Sequence, residues 1–161
     1  MQHQTGTFTG LSNTMIFTQQ WLPDQPPRAA VILVHGIGEH SGRYAHAAAH
    51  FTGHDYAVYA LDHRGHGQSG GTRVYVKHFS DYVDDLETYF EQVRAAHPKL
   101  PIFVYGHSMG SLIGLLFASR GDGGPEPWSM SQEDSLGAGL ESALHSGQAA
   151  PVPPVRSYLP L

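Results

Sequence analysis

Residues 104–114 read VYGHSMGSLIG, a serine held between two glycines at the point where a strand-like run stops and a helix-like run begins. Gly106-His107-Ser108-Met109-Gly110 is a G-x-S-x-G pattern in a strand–turn–helix context. A turn this tight forces the serine into a strained backbone conformation, and side chains two residues to either side would collide with the neighbouring strand and helix. The hydroxyl then projects above the sheet. The amide of Met109, at the positive end of the following helix, points to where negative charge on an attacked carbonyl oxygen would develop. Ser108 is therefore the candidate nucleophile, with Gly106 and Gly110 as the elbow glycines. A second oxyanion donor is expected from the loop after an earlier strand. VILVHGIGEH (31–40) supplies such a loop, with Gly36 ending the strand and the N–H of Ile37 in position to donate. On the plainer alternative, Gly36 and Gly38 serve only to permit a tight turn.

Working outward, TMIFTQQWL (14–22) alternates apolar and polar positions and reads as an early strand. AAVILV (29–34), YAVYALD (56–62) and PIFVYGH (101–107) are continuous apolar runs, as expected of strands buried on both faces of a parallel sheet. Between them, Tyr44, Ala47, Ala48 and Phe51 recur at helical spacing from Ser41 to a stop at Gly53. Residues 80–97 carry Tyr82, Leu86, Tyr89, Phe90 and Val93 on one face, with Ser80 as N-cap and Asp81, Asp84 and Asp85 suiting the helix dipole. MGSLIGLLFASR (109–120) is an apolar helix. Strands alternating with helices in this way indicate an α/β class, βαβ units and right-handed crossovers. Residues 1–120 are expected to form the domain. Residues 121–161 are rich in Gly, Pro and Ser, lack sustained periodicity, and read as a poorly ordered tail.

A net charge of −5 with only nine Lys and Arg, and no basic cluster, argues against nucleic acid or an anionic membrane as partner. The absence of cysteine removes thiolate catalysis and disulfide scaffolds, and is consistent with a reducing, cytoplasmic setting. The longest aliphatic run, 29–34, is far too short for a transmembrane segment. The twelve histidines lie largely in loops without the paired spacing of a helical metal site, so neither a metal nor a cofactor is expected.

HGIGEHSGRY (35–44), YALDHRGHGQSGG (59–71) and GHSMGSLIG (106–114), in this order and spacing, resemble the monoacylglycerol lipase and lysophospholipase branch of the α/β-hydrolase family, the serine aminopeptidase type. The resemblance covers about residues 14–120. It implies Ser108 as nucleophile, Ile37 and Met109 as oxyanion donors, a small lipid-like ester of glycerol or a glycerophospholipid as substrate, and a partial α/β-hydrolase fold: a mostly parallel sheet flanked by helices, without the C-terminal strands and lid. In this family the acid and base of the triad follow the serine. Beyond Ser108 lie Asp122, Asp134 and a single histidine, His145, and Asp134 and His145 are weak candidates because they fall in the tail, which shows no strand signal. His107 is set aside because neighbours in a tight turn point in different directions. Weak activity or none is therefore expected of this form. The strand ending at Gly106 would be left as an exposed apolar edge, open to self-association. Two alternatives stay open: a non-catalytic relative that binds a partner, and a dinucleotide-binding module in which Asp62 would contact a ribose.

Overall fold

The computed structural model describes residues 1–120. Strands β1 (Gln2–Thr9), β2 (Met15–Leu22), β3 (Ala29–Val34), β4 (Tyr56–Leu61) and β5 (Ile102–Gly106) form one sheet in the order β1-β2-β4-β3-β5. Helices α1 (Ala45–Thr52), α2 (Ser80–Ala96) and α3 (Met109–Ser119) cover it. β3 runs parallel to both β4 and β5, whereas β2 is antiparallel to β1 and to β4.

The continuous aliphatic run of β3 has a direct cause. Ala30, Ile32 and Val34 pack on one side with Leu86, Val93 and Ile113 of α2 and α3, while Val31 and Leu33 pack on the other with Trp21, Val58 and Ala48 of α1. All six β3 residues are buried, as a central strand with helices on both faces requires. The register then fixes the functional end of the sheet. Val34 pairs with Gly106, so the segments 35–37 and 107–109 leave the sheet side by side at the carboxyl ends of parallel strands. Ligand sites of open α/β sheets form at such ends.

Several details depart from the sequence expectations. β1 was not expected: QHQTGTFT has no apolar alternation, yet it pairs along its whole length with β2, from Gln2 opposite Leu22 to Thr9 opposite Met15. Most of β1 is exposed, so the backbone ladder rather than burial holds it. The segment from Ser41 opens with a 3-10 turn over Ser41–Tyr44, and the α-helix begins only at Ala45. Ser80 does not cap α2, whose preceding residue is Phe79 and which has no side-chain cap bond.

Asp85, expected to serve the helix dipole, has a different role. It is fully buried and receives the Arg64 guanidinium through Nε and Nη2, both at 2.7 Å, together with the Leu11 N–H at 3.2 Å. One carboxylate thereby ties α2 to the 62–69 turn and to the segment before β2. β5 lies at the end of the strand order, with no neighbour on its outer side among the described residues.

Candidate active site

Ser108 adopts φ 54°, ψ −119°, a left-handed backbone conformation that a residue with a Cβ enters only under strain. The glycines flanking it are sterically required. A Cβ on Gly106 would lie 2.5 Å from the Gly110 carbonyl oxygen, and one on Gly110 would lie 2.0 Å from that of Val34. The elbow is thus wedged between β3 and the first turn of α3. Ser108 itself is exposed.

At the start of α3 the N–H groups of Gly110 and Ser111 are spent on the carbonyls of His107 and Ser108, each at 2.9 Å. The Met109 N–H has no acceptor among the described residues, as the opening of a helix allows. The same holds for the Ile37 N–H in the neighbouring loop, whose side chain is 62% exposed. Two unspent amides therefore stand on adjacent segments at the carboxyl end of β3 and β5, the arrangement from which an oxyanion hole is built.

Loop and elbow are joined by side chains. The Glu39 carboxylate accepts the Gly36 N–H at 3.1 Å, the Tyr44 hydroxyl at 2.7 Å and the His107 Nδ1–H at 3.2 Å. The Tyr44 hydrogen bond is the main reason its pKa falls to about 2. Behind the loop, His35 and His63 interlock. His35 Nδ1 lies 2.7 Å from the Gly36 carbonyl oxygen, His35 Nε2 accepts the His63 N–H at 2.9 Å, and His63 Nε2 lies 3.0 Å from the His35 carbonyl oxygen. Burial pushes the pKa of His35 down to about 4 and that of His63 well below its usual value.

Ser108, Ile37, Met109, Gly36, Gly106 and Gly110 are thus brought to one end of the sheet. Asp134 and His145 lie outside the described residues. Among the described residues no histidine or carboxylate is hydrogen-bonded to the Ser108 hydroxyl, and His107 Nδ1 is directed at Glu39 instead. Glu39, Tyr44 and His63 are the residues of this end that sequence reasoning missed. A glutamate two positions past the Gly36–Ile37 turn was the available signal, but only the fold shows what its carboxylate accepts.

The dinucleotide alternative meets a direct obstacle at Asp62. Its carboxylate already accepts the Ser41 N–H at 2.7 Å, the Ser41 hydroxyl at 2.6 Å and the Gln68 N–H at 2.7 Å, and the residue is 1% exposed. Oδ1 holds Ser41 and Oδ2 holds the Gln68 N–H that closes the 62–69 turn, so both oxygens are occupied.

Comparison with known proteins agrees with this geometry. The family model for serine aminopeptidase S33 matches residues 25–126. The chain is 46% identical over 112 residues to a monoacylglycerol lipase of Mycolicibacterium smegmatis, covering 70% of this chain and 39% of that protein. It is 42% identical over 108 residues to the human monoglyceride lipase, covering 67% of this chain and 36% of that one. Among solved structures, a thermostable carboxyl esterase from Bacillus coagulans in complex with glycerol matches with a TM-score of 0.68 at 33% identity, covering 74% of this chain and 40% of the esterase. The chain spans well under half the length of these relatives. A glycine-wedged serine elbow beside a loop with an unspent amide, on a chain matched in this way, belongs to the serine aminopeptidase S33 family of α/β hydrolases, in its monoacylglycerol lipase branch.

Proposed function

We propose that this chain carries the nucleophile and oxyanion half of a serine hydrolase acting on carboxylic esters of the monoacylglycerol or lysophospholipid kind. The observation that carries the reading is the strained Ser108 at the head of α3, held where Gly106 and Gly110 leave no room for a side chain. In this mechanism Ser108 Oγ attacks the ester carbonyl and its proton leaves to a base. The oxyanion is held by the N–H groups of Ile37 and Met109, the alkoxide departs with a proton, and water later releases the acid from the acyl-serine. The named relatives, a monoacylglycerol lipase and a carboxyl esterase, support an ester as the substrate.

The base is the weak point. With none on the Ser108 hydroxyl among the described residues, the 161-residue chain is expected to turn over slowly. An oxyanion hole and binding alone can sustain about 10³ to 10⁴-fold acceleration over water. The test is to incubate the purified chain and Ser108→Ala with p-nitrophenyl acetate and with a monoacylglycerol, following release of product and acetylation by mass spectrometry. A slow release with an acetyl group on Ser108, absent from the variant, is the expected result. Identical release and no adduct in either protein would remove the hydrolase reading, and turnover matching that of the Mycolicibacterium smegmatis monoacylglycerol lipase would refute the expected weakness.

A second reading, self-association through β5, is supported by the place of that strand at the end of the sheet. Tyr105 is 51% exposed there, and beside it Leu112, Leu115 and Leu116 of α3 face outward. Unpaired strand edges next to apolar surface invite pairing with a second copy. Sedimentation velocity is expected to show a dimer or larger species that Leu115→Lys shifts toward the monomer. A wild-type chain that stays monomeric at high micromolar concentration contradicts it.

A further inference from the structure

We infer that His50 and His54, on the exposed face of α1, form a two-imidazole site for a divalent transition-metal cation of the zinc kind, independent of the hydrolase reading. The chain carries histidine at 46, 50 and 54, one every fourth residue. That spacing has chemical meaning only on a helix, where residues four apart are neighbours on one face. α1 runs Ala45–Thr52, and its turns continue to His54: the Gly53 N–H donates to the Ala49 carbonyl and the His54 N–H to the Phe51 carbonyl, both at 3.0 Å. Asp55 then leaves at φ 61° to enter β4. Ala48 and Thr52 are buried against the sheet, whereas His50 and His54 are exposed, with ring centroids 4.7 Å apart. Tyr56 opens β4 opposite Ala29 of the parallel strand β3, so the pair stands at the end of the sheet away from Ser108.

The ring separation is that of two ligands sharing one ion. With metal–nitrogen bonds of about 2.1 Å and an angle between right and tetrahedral, two imidazole centroids stand about 4.5 to 5.2 Å apart. His54 is also oriented as a ligand in advance. Its Nδ1 lies 2.9 Å from the His50 carbonyl oxygen, and a carbonyl only accepts, so Nδ1 carries the hydrogen and Nε2 keeps its lone pair. Metal-bound histidines are held by just such a bond from the second ring nitrogen, which fixes the tautomer. His50 gives that bond its carbonyl, and its own ring has no hydrogen-bond partner among the described residues, so no contact opposes its turning to an ion. The last carbonyls of a helix carry partial negative charge, which favours a cation there. Among the described residues no three histidines or carboxylates converge, so His46 stays outside the site and water completes the shell. Imidazole ligands select zinc, copper or nickel over magnesium and calcium, which take oxygen.

Calorimetric titration of the full chain with Zn²⁺ tests the site. Saturable binding is expected, and His50→Gln and His54→Gln are each expected to weaken it about tenfold or more, since glutamine keeps helix propensity and polarity but offers no imidazole nitrogen. His46→Gln, one turn earlier, is expected to leave the affinity within about twofold and so controls for zinc held by other histidines. NMR of the wild-type chain needs no variant: Zn²⁺ is expected to shift the ring signals of His50 and His54 together, with His54 still protonated at Nδ1. Mg²⁺ is expected to shift neither ring. Zinc affinity unchanged in both His50→Gln and His54→Gln overturns the inference, as does a loss in His46→Gln as large as that in His50→Gln. A His54 ring bound through Nδ1 would also overturn it, and so would an equal response to Mg²⁺, which would mark a general attraction of cations to an acidic chain.

Discussion

Gly110→Ala is expected to cost the domain about 3 kcal/mol or more, the upper range for overpacking a well-filled site. The added Cβ would come within 2.0 Å of the Val34 carbonyl oxygen, 2.6 Å of its carbonyl carbon and 2.8 Å of the His35 carbonyl oxygen. None of these is the yielding end of a flexible side chain. Val34 is backbone of the central strand, hydrogen-bonded to β5 and buried between helices on both faces, so the clash can be relieved only by moving α3 away from the sheet. Such a movement also displaces Met109 and Ser108. Gly114→Ala is the matched control on the same helix: its Cβ would meet Val104 Cγ1 at an ordinary 3.4 Å, and removing a glycine from a helix interior should gain up to about 1 kcal/mol. Urea unfolding of the two variants checks both signs. A Gly110→Ala chain within about 1 kcal/mol of wild type would show that the elbow is looser than its geometry implies.

Acid is expected to weaken the fold before any carboxylate of the site is protonated. His35 is held neutral in the folded chain down to about pH 4, whereas in the unfolded chain it takes up a proton near its ordinary value of 6.5. Burial is the main cause. The neighbouring His66 acts in the same direction, while the Gly36 carbonyl and the carboxylates of Asp62 and Glu39 oppose it. The unfolded state therefore binds more protons throughout this window. The stability contributed is complete above about pH 6.5 and is lost progressively as the pH falls toward 4. At about 1.4 kcal/mol per pH unit, His35 alone accounts for roughly 3 kcal/mol. The more deeply buried His63, shifted in the same direction, adds to the loss. Glu39 works in a lower window, since a carboxyl with a pKa of about 2 gives up its contribution only from about pH 4.5 downward. Chemical denaturation at pH 7 and at pH 4.5 should thus differ by about 2 kcal/mol or more, with net proton uptake on unfolding at the lower pH. Equal stability at the two pH values would mean that the histidines are solvated or paired with acceptors that stabilise the charged ring.

Much of the local structure was legible in the residues themselves. The runs at 29–34 and 56–62 are strands buried on both faces, as their uninterrupted apolar residues implied, whereas the run at 101–107 forms a strand that is only half-buried and exposes Tyr105 because it lies at the end of the strand order. The spacing of Tyr82, Leu86, Tyr89 and Val93 admitted only a helix with one covered face. β1 escaped because its order comes from pairing with β2, a long-range ladder that leaves no trace in the composition of QHQTGTFT. Ser108, Gly106 and Gly110 were readable because the chemistry of a nucleophile elbow constrains neighbours along the chain. Glu39, Tyr44 and His63 were not, because what they do depends on which loops meet above the sheet.

The sequence by itself determined the α/β class, the serine between two glycines, and the loop that faces it, since each follows from steric and hydrophobic patterns within a few residues. Only the tertiary structure decided that Val34 and Gly106 stand in register, so that two loops some seventy residues apart share one end of the sheet. It also decided that Asp62 and Asp85 are buried ties rather than ligand contacts or dipole partners, and that the imidazole of His35 is turned inward onto a peptide carbonyl. Hydrogen bonds of this kind are set by distance and direction in three dimensions, and sequence spacing carries neither.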